Sequence, residues 1–138
     1  MAELVRVLRP GGVIVAVEPD WGTLALDPGE PDVVRRLAMQ CAAGFPDGWT
    51  GRKLGRYFRN AGLEEVRVGP ATAVVQDLPT VLKAMNIGPS LEAAVEFGRI
   101  ASAEAQTLLE TLKEADRAGT FLFSMTVFRA IGRRPGAG

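Results

Sequence analysis

The chain has 138 residues, enough for one domain that buries about two thirds of its unfolded surface. Sixteen Lys and Arg balance sixteen Asp and Glu, so the basic excess normal for a nucleic-acid binder is missing and no nucleic-acid partner is expected. With no histidine and one cysteine, Cys41, the sequence excludes Ser-His-Asp and Cys-His nucleophiles, the usual zinc sites and an intrachain disulfide, which makes the cytoplasm the expected compartment.

Ala2 to Leu8 reads as the last turns of a helix, stopped by Pro10 and Gly11-Gly12. Val13 to Val17 is a β-branched run of the kind found in a strand buried on both faces, and it closes on Glu18-Pro19-Asp20-Trp21. Asp27 to Pro31 is a loop. Asp32 then caps a helix to about Ala43, with Val33, Val34, Leu37, Ala38 and Cys41 on its inner face. Cys41 therefore reads as core.

Thr50 is a good cap for a helix to Asn60, and Ala61-Gly62 a good stop. Glu64 to Val68 alternates as a strand, is interrupted at Gly69-Pro70, and resumes over Thr72 to Gln76. Asp77 caps the next helix and Gly88-Pro89-Ser90 breaks it. Ser90 and Ser102 cap two more, the second ending at Gly119. Phe121 to Ile131 carries apolar residues on both faces and reads as a central strand, followed by a frayed tail over 133–138. No basic-then-apolar leader is legible, and no apolar stretch approaches the roughly 20 residues of a membrane span, so no membrane partner is expected.

Leu8-Arg9-Pro10-Gly11-Gly12 with its apolar strand, Glu18 to Leu24, Gly51 to Leu54 through Phe58 to Leu63, and Phe123 to Gly132 occur in one order. Together they resemble the carboxyl-terminal half of class I S-adenosylmethionine-dependent methyltransferases, the small-molecule branch that includes ubiquinone/menaquinone-biosynthesis enzymes. The resemblance covers essentially the whole chain. It implies an α/β fold, a partial Rossmann-like mixed sheet made of that family's fifth, sixth and seventh strands. Residues 1–132 would form this half-domain, and 77–119 a helical lid between the last two strands. The family's glycine-rich cofactor loop and ribose-binding carboxylate belong to its first half, and no segment here matches them.

What the resemblance implies is thus the substrate-side portion of a methyltransferase, inactive as an isolated chain. S-adenosylmethionine is the implied cofactor, and no residue here is assigned to holding it. The alternative is a noncatalytic oligomerisation or binding module derived from the same fold. In either case the strand at Val13 to Val17 would expose an edge, inviting a homodimer or a separate cofactor-binding chain.

For a small-molecule substrate the candidate residues are Glu18, Asp20, Trp21, Trp49, Arg52 and Met85. The carboxylates would orient or deprotonate an acceptor, Trp21 and Trp49 would supply apolar walls, and Arg52 would meet an anionic group. Met85 would belong to an adaptable lid surface. The structural alternatives are a turn cap for Asp20, packing beneath the lid helices for Trp21, and a loop cover over the core for Trp49. Catalytic residues stay unassigned, and no metal ligands are evident.

Overall fold

Pro10 and the Gly11-Gly12 pair end helix α1 (Ala2–Val7) and turn the chain into strand β1 (Val13–Pro19) in the computed structural model, which describes residues 2–136. Gly11 takes φ +73, a conformation that costs other residues a steric clash, and Gly12 N–H closes the turn on Arg9 O at 2.8 Å. The end of α1 is tied down by Arg134, whose Nη1 donates to the carbonyls of Val5, Arg6 and Leu8. A cation there meets the negative end of the helix.

The described residues form a mixed α/β fold of six helices and a four-stranded, largely antiparallel sheet. Strand β4 (Leu122–Arg133) is its centre and pairs with β1, with β2 (Ala25–Asp27) and with β3 (Glu64–Val75). No helix among the described residues is long and apolar enough to cross a membrane. The chain divides into two compact units, and four changes of unit occur along it. Residues 77–119 share their unit with residues 21–48 and with the first part of β4.

The first unit comprises 1–20, 49–71 and 127–138. β1 runs antiparallel to β4, from Val13 opposite Arg133 to Pro19 opposite Val127. Helix α3 (Thr50–Asn60) packs on this pair through Leu54 and Phe58, which join Leu63 and Ala130 in a buried cluster flanked by Ile14, Ala16, Val66 and Phe128. Gly132 permits the contact, since a Cβ there would lie 2.9 Å from Phe58 and 3.1 Å from Leu63.

The opposite face of β1 corrects the expectation of burial on both sides. Val13, Val15 and Val17 are 47%, 55% and 56% exposed. The alternation is that of a strand covered on one face only. The tail begins later than expected, because Arg133 lies in β4 and the Arg134 backbone bonds to Gly11 and Gly12. Positions 137 and 138 lie outside the described residues.

The second unit comprises 21–48 and 72–126. It holds a short 3-10 turn (Trp21–Thr23), β2, and helices α2 (Pro31–Ala43), α4 (Leu78–Ala84), α5 (Ile87–Glu96) and α6 (Ser102–Ala118). Leu37, Val81, Ile87, Ile100, Leu112, Phe121 and Phe123 are essentially inaccessible, and Cys41 is buried as expected. α2 is capped by Glu30, which accepts from Val33 N–H at 2.8 Å, and not by Asp32, which pairs with Arg35 and Arg36 instead. Pro31 at the first helical position fixes this start. Asp77 caps α4 as expected, accepting from Thr80 N–H at 2.8 Å.

α5 runs through Gly88-Pro89-Ser90, where a break was expected. Pro89 falls in the first turn, where its missing N–H leaves no helical bond unmade. Ser102 is likewise the first residue of α6 and not its cap. Gly119 ends α6 at φ +71, with Thr120 N–H reaching Ala115 O at 2.8 Å.

The neutral total charge conceals a division. The first unit carries ten basic and five acidic residues, the second six basic and eleven acidic, so their nets are +5 and −5.

Candidate functional site

β1 ends at Pro19 and delivers Asp20 to the start of α3. The two elements touch through backbone. A Cβ on Gly51 would lie 2.7 Å from Glu18 O and 2.8 Å from Pro19 O, so the helix can approach this closely only with glycine there. The next residue, Arg52, is thereby aimed at Asp20. Its Nε donates to Oδ2 at 2.6 Å and its Nη2 to Oδ1 at 2.8 Å, the fork geometry that matches guanidinium to carboxylate.

Asp20 is 1% exposed, whereas the Arg52 side chain is 50% exposed, so the cation presents one side to solvent and the other to the buried anion. The hydrogen bond to Asp20 raises the Arg52 pKa above its ordinary value, outweighing the opposing effect of burial. The guanidinium also sits 5.0 Å from the centroid of the Trp49 ring, a cation–π distance. Trp49 itself occupies the position before α3, and Thr50 is helical, which corrects the expected Thr50 cap.

Three of the six candidate residues, Asp20, Trp49 and Arg52, are thus brought into one cluster. Glu18 is exposed on β1 opposite Phe128. Trp21 and Met85 belong to the second unit. Trp21 is 5% exposed and stacks on Phe45 with centroids 5.6 Å apart and planes inclined by 24°. Met85 is half-buried at the end of α4.

Sequence reasoning missed a polar network in the second unit. Arg36 on α2 donates to both carboxylate oxygens of Glu104 on α6, at 3.0 and 2.7 Å, and to Arg99 O at 2.9 Å. Arg99 in turn donates to Gln40 Oε1 at 2.7 Å. Bonds from Arg36 and from Ala101 N–H hold the Glu104 carboxyl at a pKa of about 2. Beside this network a cavity of about 750 Å³ is lined by Pro28, Val33, Arg36, Glu104 and Leu108. The helical spacing of Asp32 and Arg36 was readable, but a partner 68 positions away was not. Among the described residues no group of three His, Cys, Asp or Glu could hold a metal ion.

No family model matches the chain. It is 31% identical over 134 residues, 96% of its length, to an uncharacterized 37.1 kDa protein in transposon TN4556 of Streptomyces fradiae. The chain spans 38% of that protein's length.

Proposed function

We propose that this chain is the substrate-side portion of a small-molecule methyltransferase that uses S-adenosylmethionine, with the cofactor-binding half supplied by further polypeptide. The observation that carries the reading is β1, which among the described residues pairs along one edge only, and which has an open valine face and a polar cluster at its carboxyl end. Ligands of open α/β sheets bind beyond the carboxyl ends of strands. The pairing of β4 with both β1 and β3, and the helices between β3 and β4, support the same reading. So does the greater length of the Streptomyces fradiae relative, which leaves room for further strands.

The residues present do not fit the cofactor. A nucleoside cradle needs a glycine-rich turn directly after a strand, and the connections that follow β1, β2 and β3 hold at most one glycine each, while the glycines whose Cβ would collide are filled by the chain's own packing. Gly51 abuts Glu18 and Pro19, Gly48 abuts Ala42, Gly55 abuts Val68, and Gly132 abuts Phe58 and Leu63. The chain's contribution is then to the acceptor. Arg52 offers a fixed positive charge to an anionic group, and Trp49 offers an apolar wall. Asp20 orients Arg52. Both its oxygens accept from the guanidinium, so proton removal from an acceptor falls to the exposed Glu18.

A second reading, a noncatalytic binding module, is favoured by the same bidentate bond, because it leaves the cluster without a carboxylate poised for proton transfer. Calorimetric titration with S-adenosylmethionine separates the two. The chain alone is expected to give no heat, and the chain mixed with the remaining segment of the Streptomyces fradiae relative is expected to bind. Micromolar binding by the chain alone overturns the division into halves. Silence in both titrations overturns the methyltransferase reading and leaves the module.

A further inference from the structure

The open face of the first unit's sheet has two chemically distinct strips. Residues opposite each other in an antiparallel pair share a face, so the register puts Val13, Val15 and Val17 of β1 beside Arg133, Ile131 and Arg129 of β4. Val127, opposite Pro19, extends the same face. On β3, Val66 packs into the core under α3, so Arg67 alternates onto the open side. Glu65 lies within 3.4 Å of Arg133. An apolar strip along β1 and the adjacent half-buried Ile131 is therefore bordered by arginines on β4 and β3. Arg129 and Arg67 are exposed and make no ion pair among the described residues.

A solvated sheet face normally carries polar residues, and three adjacent valines about half exposed are a surface that awaits cover. The charges say what kind. Two copies stacked face to face would oppose arginine to arginine, and the unit as a whole already carries +5. Pairing β1 edge to edge with a second copy would widen the valine strip without covering it. We infer that the face receives an amphipathic helix of another polypeptide, with an apolar stripe over Val13, Val15 and Val17 and carboxylates along the flank that meets Arg129 and Arg67. The seven residues of β1 extend about 23 Å, the length of a helix of about 15 residues. A helix laid on a sheet face is the ordinary way such a layer is closed. The inference stands on this face alone and does not require the methyltransferase reading.

The test uses two synthetic 15-residue helical peptides with one leucine stripe and a flank of Glu in the first, Lys in the second. Each is titrated into the full chain and followed by fluorescence anisotropy. The Glu peptide is expected to bind about ten-fold more tightly, since two exposed charge pairs change from attraction to repulsion. Arg67→Glu with Arg129→Glu should reverse the preference. Val15→Thr with Val17→Thr, which keep the β-branched shape and lie on the exposed face, should abolish binding with an unchanged circular dichroism spectrum. Equal binding of both peptides, binding that survives the threonine pair, or no binding by either peptide overturns the inference. So does a dimer in sedimentation equilibrium that the threonine pair dissociates, because a second copy would then be the occupant.

Discussion

Gly51→Ala and Gly88→Ala are the same substitution near the starts of two helices, and they should change stability in opposite directions. Alanine is favoured over glycine in a helix by about 1 kcal/mol at interior positions. At Gly88 the new methyl meets nothing within 4 Å, so the gain is kept, reduced to about 0.5 kcal/mol by its place in the first turn. At Gly51 the methyl would stand 2.7 Å from Glu18 O, 2.8 Å from Pro19 O and 3.0 Å from the Pro19 carbonyl carbon. These are backbone atoms of a strand paired to β4, so the helix must move away by several tenths of an ångström. Overpacking of this kind costs about 1–3 kcal/mol, which outweighs the first-turn propensity gain of about 0.5 kcal/mol and leaves a net loss of about 0.5–2.5 kcal/mol. With a urea slope of about 1.5 kcal/mol/M, the midpoint should fall by about 1 M for Gly51→Ala and rise slightly for Gly88→Ala. The shift of α3 should also move Arg52 relative to Asp20 and change the Trp49 fluorescence. A Gly51→Ala midpoint at or above the parent value would refute the claim that backbone contact seats α3 on β1.

Arg52→Met removes the donor fork from the buried Asp20 carboxylate and should lower stability by about 1–3 kcal/mol, measured by urea unfolding. A change within 0.5 kcal/mol, the range of about that size typical of surface substitutions, would show the pair to be incidental. Glu104 has a folded pKa of about 2, below its ordinary 4.5. Its contribution is therefore fully present above pH 4.5 and is lost as pH falls toward 2. Acid unfolding monitored from pH 6 downward should be less steep in Glu104→Gln, and unchanged steepness would count against the Arg36 bond as the cause. Burial raises the Cys41 pKa and shields the thiol, so it should react with a disulfide reagent only as fast as the protein opens. Immediate reaction under native conditions would contradict its burial on the inner face of α2.

What the sequence revealed depended on how local each determinant was. The turn at Arg9 to Gly12, the Asp77 cap and the Gly119 stop were readable because each rests on a few neighbouring residues with special backbone chemistry. Pro70 and Pro89 misled, since both suggest interruption. β3 nevertheless continues through Pro70, and α5 accommodates Pro89 in its first turn. β2, three residues long, is too short to leave a periodic signal. The open face of β1 was illegible for a different reason. A run of valine and isoleucine is the same whether one face or two are covered, and only the tertiary surroundings distinguish them. Asp20 and Arg52 were each readable as chemistry-bearing residues, but their bond depends on how Gly51 lets α3 meet β1. That is a fact about backbone clearance and not about either side chain.

The placement of β4 bears on how the molecule is made. Its first residues, Leu122 to Ser124, pair with β2, and Val127 to Arg133 pair with β1. Every other element of the described residues precedes it. During synthesis, both units must wait for one late strand before either has its sheet. β1 spends that interval without β4 along its edge and with its valines exposed. Crowding on a ribosome should therefore harm this protein more than dilute refolding does, and slower initiation should raise its yield.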